Sequence, residues 1–292
     1  MASNFPFNEQ VVRDVGAMGN DVRVMELCDT NSNPEPTLIH KADPAEALLI
    51  ILGDVHENLM TRLQAPDNAL PGLHLLSQAE VNGIANRVWR LTQSSLVFTH
   101  FGLQCLSTTE CTACHYKSGV FSSCLVLPVA LPETNAVTLS LTDCLSSLTT
   151  YEVQVNGDLY RCQCGNNVVK KKVTFYRFPS TLILQLGRYK QVLDGGPVTK
   201  NGKKVDFPLT GLALPNELGS TETYCLVAVI NHIGSTPTSG HCTAYAKQTD
   251  SDVWFKYDDA TCTPLPVCDI VSDKAYVLVY ELRQMPLLPQ TD

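Results

Sequence analysis

Residues 95 to 282 contain the feature that most restricts the fold, a series of short segments rich in Val, Ile, Leu, Thr, Tyr and Phe. Segments of this length and composition are typical of β-strands when turn residues separate them. Asn201-Gly202 and the run Asp194–Pro197 are two such turns. This part of the chain therefore predicts a sheet-rich structure, with strands near residues 119–127, 172–178, 181–190, 223–233, 241–247, 252–257 and 275–282.

Helix signals precede these segments, and one interrupts them. Asp43 can cap a helix that begins at Pro44, with apolar residues following at helical spacing as far as Leu63. Ser77 with Glu80 three residues later predicts a second helix start, and residues 140–148 predict a third helix. Residues 1–42 are poorly patterned, and residues 284–292 are predicted to be a disordered tail. The fold class expected is α+β.

Charge and hydropathy narrow the classes of partner. The 292 residues include 29 acidic and 21 basic side chains, a net charge of −8, which argues against a nucleic-acid surface. No apolar run reaches the length of a membrane span, and residues 1–20 lack a signal-peptide core. We therefore expect no membrane partner and a location in the cytoplasm or nucleus. The twelve cysteines are then expected to be reduced thiols or metal ligands.

Four cysteines form two close pairs. Cys111 and Cys114 make a C-x-x-C pair, and Cys162 and Cys164 make a tighter C-x-C pair further along the chain. Two such turns can direct four thiolates at one Zn²⁺ ion, which would be structural because no coordination position stays open. The alternatives are buried free thiols or a ribbon that has lost its metal. The remaining cysteines are expected to be small core residues: Cys28, Cys105, Cys124, Cys144, Cys225, Cys242, Cys262 and Cys268.

Several strings occur in the order found in a known family. Residues 178–189 (FPSTLILQLGRY) resemble the P-x-x-L-x-x-x-L-K-R-F strand of the ubiquitin-specific proteases, papain-like cysteine peptidases that cut ubiquitin from lysines. Other segments resemble the family's acidic helix start, the entry to its fingers, the short helix before the second cysteine pair, the segment before the His strand, the His strand, the Trp-to-Asp strand and the closing strand: 43–48, 101–114, 140–148, 224–234, 240–245, 254–259 and 275–280.

The resemblance implies a papain-like fold over residues 43–283. It would divide into a partial helical thumb (43–94), zinc-ribbon-like β fingers (95–175) and an antiparallel β palm (176–283). It also implies ubiquitin or ubiquitin conjugates as the partner. The four paired cysteines would hold a structural zinc ion.

The resemblance also implies catalytic roles. His241 would be the general base, Asp258 would orient its ring, and Asp259 would be a neighbouring polar support. The family's nucleophile lies in a G-N-T-C-Y-type box, but the nearest string, Gly19-Asn20-Asp21-Val22, has Val22 at the cysteine position. Cys28 is the only upstream thiol, and its acidic surroundings are expected to raise its pKa and disfavour it as the nucleophile. Cys242 follows His241 directly, so on a strand it points to the opposite face.

Two functions therefore stay open. The first is thiol-dependent removal of ubiquitin from conjugates, with the nucleophile supplied from outside this sequence, so that the isolated chain is inactive. The second is a pseudoenzyme that binds ubiquitin or another partner as a non-catalytic scaffold.

Overall fold

A computed structural model of the protein describes residues 22–23, 38–39, 44–45, 47–49, 51–52, 68–92, 95–155, 162–191, 198–236, 239–249 and 251–283. Cys28 and the tail at 284–292 lie outside these residues. The α+β architecture is confirmed, with two large sheets and few helices. Over the described segments, no helix is long and apolar enough to cross a membrane.

The secondary-structure elements are labelled in chain order. The strands are β1 (Val22–Arg23), β2 (Leu38–Ile39), β3 (Ala69–Leu70), β4 (Leu103–Cys111), β5 (Lys117–Cys124), β6 (Leu127–Ala130), β7 (Thr138–Ser140), β8 (Glu152–Val155), β9 (Val168–Arg177), β10 (Thr181–Gly187), β11 (Tyr189–Gln191), β12 (Val198–Lys200), β13 (Lys204–Asp206), β14 (Thr210–Pro215), β15 (Thr221–Thr236), β16 (Ser239–Lys247), β17 (Trp254–Asp258), β18 (Thr261–Leu265) and β19 (Ala275–Leu282). Three α-helices lie wholly within the described residues: α1 (Gln78–Thr92), α2 (Leu96–Phe101) and α3 (Leu141–Thr149).

The predicted helix starts are present. The Ser77 amide donates to Glu80 Oε2 at 2.8 Å, and the Glu80 amide donates to Ser77 Oγ at 3.3 Å, so α1 begins with a reciprocal capping box. Ser140 caps α3 through a single hydrogen bond, which its Oγ accepts from the Asp143 amide. Residues 44–45, 47–49 and 51–52 are helical, and the rest of the helix predicted there lies outside the described residues.

A five-stranded sheet has the order β3-β5-β4-β9-β8. Its central strand β4 was not among the predicted strands, because Gln, Ser, Thr and Glu interrupt its apolar pattern. The structure nevertheless buries most of β4. Gln104 is fully buried and donates through its side-chain amide to the Ala85 carbonyl of α1 at 2.8 Å. The core therefore holds a polar side chain whose amide nitrogen is paired, whereas its Oε1 has no partner among the described residues.

An eight-stranded sheet has the order β18-β17-β16-β15-β19-β10-β6, with β14 also pairing β15. Apolar residues cover both of its faces: Leu184 belongs to the larger core, whereas Ile183 packs with Ala45 and Leu48 of the helical segment. The pairing is antiparallel except at the edge, where β6 lies parallel to β10. A parallel neighbour requires a long crossover, and here the chain passes through α3, β8 and β9 between the two strands.

A buried histidine supports the hairpin between β15 and β16. His232 is 2% exposed, and its Nδ1 lies 2.6 Å from the Tyr189 hydroxyl. Lys200 Nζ donates to the carbonyl oxygens of His232 (2.8 Å) and Gly234 (2.9 Å), which fixes this end of β15. The position of β16, which opens with Ser239, therefore depends on the contacts that His232 and Lys200 make at this end of β15.

Gly240 is one of two closely packed glycines in this hairpin, the other being Gly234. A Cβ atom there would lie 2.6 Å from both His232 Nε2 and the Ile233 carbonyl oxygen. We therefore expect Gly240→Ala to lower the free energy of unfolding by about 1–3 kcal/mol, measured by urea denaturation. Gly202→Ala is the matched control, because a Cβ at Gly202 meets nothing within 4 Å. Equal stability of the two variants would contradict the close packing described.

Candidate functional site

His241 and Asp258 form a hydrogen-bonded dyad at one end of the eight-stranded sheet. The distance between His241 Nε2 and Asp258 Oδ1 is 2.6 Å. The other carboxylate oxygen, Oδ2, lies 2.7 Å from Lys256 Nζ. Both oxygens of Asp258 are therefore engaged, and the expected proximity of His241 and Asp258 is confirmed.

Strand register produces this contact. β16 and β17 are antiparallel with Ala244 opposite Tyr257, and continuing that register places Asp258 opposite Thr243. Because side chains alternate along a strand, His241 lies on the same face as Thr243 and diagonal to Asp258. The dyad thus follows from where the two strands begin and end.

Lys256 is a member of the site that sequence reasoning missed. The hydrogen bond from Lys256 to Asp258 is the largest cause of the lowered pKa of Asp258, and the hydrogen bond from His241 is the second. The same hydrogen bond to Asp258 raises the pKa of Lys256. The available signal was the spacing: Lys256 and Asp258 are two residues apart on one strand and so share a face. Asp258 is therefore held as a carboxylate.

The tautomer of His241 follows from the acceptor at Nε2. A carboxylate only accepts hydrogen bonds, so Nε2 carries the proton and, in the neutral ring, Nδ1 keeps a lone pair. Among the described residues, Nδ1 takes part in no hydrogen bond. The side chains of His241 and Asp258 are 41% and 34% exposed, so the site is open on this side.

Of the other residues that the sequence analysis considered for this site, the structure places Asp259 beside the dyad and Cys242 on the opposite face of β16. Asp259 is exposed and has φ 50°, as expected for the turn between β17 and β18, although its carboxylate lies within 4.8 Å of the dyad's ligand atoms. Cys242 is half-buried and follows His241 on β16, so the two side chains alternate. Cys28 lies outside the described residues. The catalytic roles of His241, Asp258 and Asp259 stay predictions.

Four cysteines converge at the tip of the five-stranded sheet. The sulfurs of Cys111 and Cys164 are 3.6 Å apart, those of Cys114 and Cys162 are 3.5 Å apart, and all four lie within 4.8 Å of one another. A tetrahedral site with metal–sulfur bonds of about 2.3 Å requires sulfurs about 3.8 Å apart. The donor set therefore fits a metal ion, which the sequence predicted despite the short spacing of Cys162 and Cys164.

Asn166 connects the two cysteine turns. Its side-chain amide donates to Cys111 Sγ (3.4 Å), Thr112 Oγ1 (3.0 Å) and the Val168 carbonyl (2.8 Å). Gly165, with φ 87°, provides the left-handed residue that lets the chain turn between Cys164 and Asn166. Sequence reasoning missed Asn166, since no spacing rule assigns an amide to this position.

The environments of the sulfurs differ. The amide hydrogen of Cys114 and the Asn166 side chain lower the pKa of Cys111 to about 6. The Tyr116 amide lowers the pKa of Cys114, but Cys162, burial and the other neighbouring thiols together raise it to about 12. Without a metal, a thiolate therefore forms more readily at Cys111 than at Cys114.

The remaining cysteines follow the predicted core placement only in part. Cys105 and Cys144 are buried, and burial raises the pKa of each thiol. Cys124, Cys225 and Cys242 are half-buried, whereas Cys262 and Cys268 are exposed, which contradicts the expectation for those two. Cys262 lies on β18, an edge strand of the sheet, and Cys268 lies in a short 3₁₀ turn.

The pKa of Asp258 yields a test of the Lys256 contact. Lys256→Met should raise the Asp258 pKa toward its ordinary value of about 3.9, as followed by carboxyl ¹³C shifts. Because the folded pKa lies below the unfolded one, Asp258 stabilises the fold above about pH 4. That contribution is lost as the pH falls through the folded pKa, and the variant should lose less.

Lys247→Met provides the matched control, because Lys247 pairs with Asp252 at 2.7 Å and lowers the pKa of that carboxyl instead. It should shift the titration of Asp252 and leave Asp258 unchanged. An unchanged Asp258 titration in Lys256→Met would rule out the proposed contact.

Comparisons with solved structures identify the fold. A structure of the yeast SAGA DUBm matches with a TM-score of 0.64 at 23% identity, covering 83% of this chain and 51% of that one. The SAGA DUB module bound to monoubiquitin matches with a TM-score of 0.56 at 22% identity, covering 82% and 53%. At these identities the likeness shows the fold alone.

Sequence comparisons identify the family. Human ubiquitin carboxyl-terminal hydrolase 2 is 30% identical over 254 residues, 85% of this chain and 41% of that protein. Mouse ubiquitin carboxyl-terminal hydrolase 21 is 32% identical over 214 residues, 70% of this chain and 37% of that protein. The chain thus spans about two fifths of the length of these relatives. The family model for ubiquitin carboxyl-terminal hydrolase matches residues 23–280, and the chain belongs to this family, the ubiquitin-specific proteases.

Proposed function

We propose that this chain binds ubiquitin and carries the imidazole–carboxylate part of a thiol-dependent deubiquitinase. The observation that carries the proposal is the 2.6 Å hydrogen bond between His241 and Asp258. Family membership supports it, because the family's reaction is hydrolysis at the carboxyl terminus of ubiquitin. One neighbour of the same fold was solved bound to monoubiquitin, which supports ubiquitin as the partner of this chain too.

The chemistry follows from the tautomer of the ring. With Nε2–H donated to Asp258, the Nδ1 lone pair of His241 can accept the proton of a cysteine thiol. The resulting imidazolium is stabilised by the Asp258 carboxylate, and it can return the proton to the leaving amine of the isopeptide bond. Lys256 keeps Asp258 ionised through this cycle.

The part of this reaction that the described residues do not supply is the thiol. Among the described residues, no sulfur lies on Nδ1 of His241, and Val22 stands where the family's box has a cysteine. We therefore propose that the isolated chain does not hydrolyse conjugates and that a nucleophile, where one acts, comes from outside this sequence. The Val22 substitution favours a second candidate function, a ubiquitin-binding scaffold without thiol chemistry.

A ubiquitin derivative with a C-terminal electrophile tests both parts. We expect no covalent adduct with the chain, because an oriented imidazole without a thiol has nothing to activate. We also expect localised shifts of ¹⁵N-labelled ubiquitin in fast exchange, which report binding. His241→Ala should leave these shifts unchanged.

Two outcomes would contradict these expectations separately. An adduct that Cys28→Ser abolishes and the exposed-thiol control Cys268→Ser retains would make Cys28 the nucleophile. Ubiquitin spectra that stay unchanged at high chain concentration would reject ubiquitin binding, whatever the reactivity.

We also propose that the four-cysteine cluster binds a structural Zn²⁺ ion. Support comes from the sulfur separations and from the Asn166 amide, which donates to a ligand sulfur as groups around metal ligands commonly do. Bound zinc would cross-link the turn after β4 to the turn before β9 and would leave no site for catalysis. The described cysteines are all free thiols, consistent with the proposed cytoplasmic or nuclear location.

Metal analysis of purified chain should give about one zinc per molecule. Cys164→Ser should lose most of it, and Asn166→Ala should weaken zinc affinity about 10–100-fold. Cys268→Ser, which removes an exposed thiol elsewhere, should keep full occupancy. Zinc content that is the same in Cys164→Ser as in Cys268→Ser would exclude the four-sulfur site.

A further inference from the structure

A cationic cleft lies beside the strands that follow β10, and no residue of the two sites described above lines it. Its volume is about 420 Å³, and its walls come from the loop after β6 and from residues 187–190 and 199–203. The charged side chains that line it are four cations and one carboxylate: Arg188, Lys190, Lys200, Lys203 and Glu133. The excess of positive charge in the cleft is opposite in sign to the net charge of −8 of the whole chain.

Arg188 forms the buried wall of this cleft. It is 1% exposed, with Nε donating to the Ala275 carbonyl (2.6 Å) and Nη1 to the carbonyls of Asn201 (2.9 Å) and Lys203 (2.8 Å). Its third nitrogen, Nη2, is buried and has no hydrogen-bond partner among the described residues. A guanidinium stays charged in proteins, so burying one N–H group unpaired costs free energy that an external acceptor would recover.

The other three cations differ in how many hydrogen-bond donors they have left for a ligand. Lys203 Nζ donates one hydrogen bond, to the Thr134 carbonyl, which leaves two N–H groups for a ligand. Lys190 is an exposed partner of Glu133 at 2.5 Å, and such a pair exchanges readily. Lys200 uses its donors on the hairpin of β15 and β16, so it adds charge without adding hydrogen bonds.

The acidic groups near the cleft do not balance this charge. Glu133 is already paired with Lys190. Burial lowers the pKa of both Arg188 and Lys200, and the field of Asp273 only partly offsets this effect. Among the described residues, no carboxylate accepts a hydrogen bond from Arg188 Nη2.

We propose that this cleft is a binding site for an oxyanion of the phosphate class, held by Arg188 Nη2 and Lys203 Nζ and assisted by Lys190. A phosphate dianion has enough charge and acceptor atoms to satisfy several donors at once, whereas one carboxylate does not. The site is independent of the proposed reaction on ubiquitin, since no residue of the dyad or of the cysteine cluster lines it.

Titration of the chain with inorganic phosphate, at constant ionic strength balanced with chloride, tests the proposal. Saturable amide shifts at Asn201 and Thr134 are expected in ¹H–¹⁵N spectra. Lys203→Met should weaken phosphate binding at least about fivefold, since it removes a charged hydrogen bond. Glu133→Gln should strengthen binding by freeing Lys190, a gain that a misfolded variant would not show.

Lys204→Met is the matched control, because Lys204 carries the same charge one residue on and does not line the cleft. It should keep most of the affinity. Shifts that do not saturate, or equal losses in Lys203→Met and Lys204→Met, would overturn the site in favour of general charge attraction. A parallel titration with O-phosphoserine amide separates the sources: preference for it assigns a phosphate monoester, and preference for inorganic phosphate assigns the free ion.

Discussion

The antiparallel register of β15, β16 and β17 is the constraint on which the candidate active site depends. Ile233 lies opposite His241 in one pair of strands, and Ala244 lies opposite Tyr257 in the next. A slip of one residue would turn His241 to the other face and break its contact with Asp258. The register is specified by burial, because Ala244 is fully buried and Tyr257 nearly so.

Lys200 links this register to the cationic cleft. Its ammonium group holds the carbonyls of His232 and Gly234 at the end of β15, while its side chain also lines the cleft beside Arg188. Both cations are therefore held mainly by backbone carbonyls, not by carboxylates. Carbonyl oxygens satisfy donors but do not neutralise charge, so the cleft keeps its positive charge.

Local patterns predicted much of the fold. The capping box of Ser77 and Glu80, the cysteine pairs and the His241 and Asp258 strands each depend on residues close in sequence. Strand β4 was missed because its burial comes from neighbours far along the chain, which pair a polar residue such as Gln104. The parallel pairing of β6 was missed for the same reason, since strand order is a tertiary property.

Two of the residues that sequence reasoning missed also depend on contacts that form only in the folded chain. Asn166 and Arg188 act through side-chain hydrogen bonds to backbone or sulfur atoms that only the folded chain brings near. Lys256 differs, because the alternation of a strand was enough to place it beside Asp258. Divisions at residues 94, 175 and 283 stay predictions, and β6, from within 95–175, joins the eight-stranded sheet.

The cysteine cluster and the His241–Asp258 dyad each provide one of the two features that thiol catalysis requires. At the cysteine cluster, amide donors lower the pKa of Cys111, so thiolate forms where it can bind a metal, but the neighbouring His115 ring contacts Glu110 instead of a sulfur. At the dyad, an oriented imidazole is present, but no described sulfur meets Nδ1. Nucleophilic catalysis requires both features at one place, because the base must take the proton from the attacking atom. The exposed face of His241 is therefore where a thiol from outside the described residues would have to bind for this fold to act as a hydrolase.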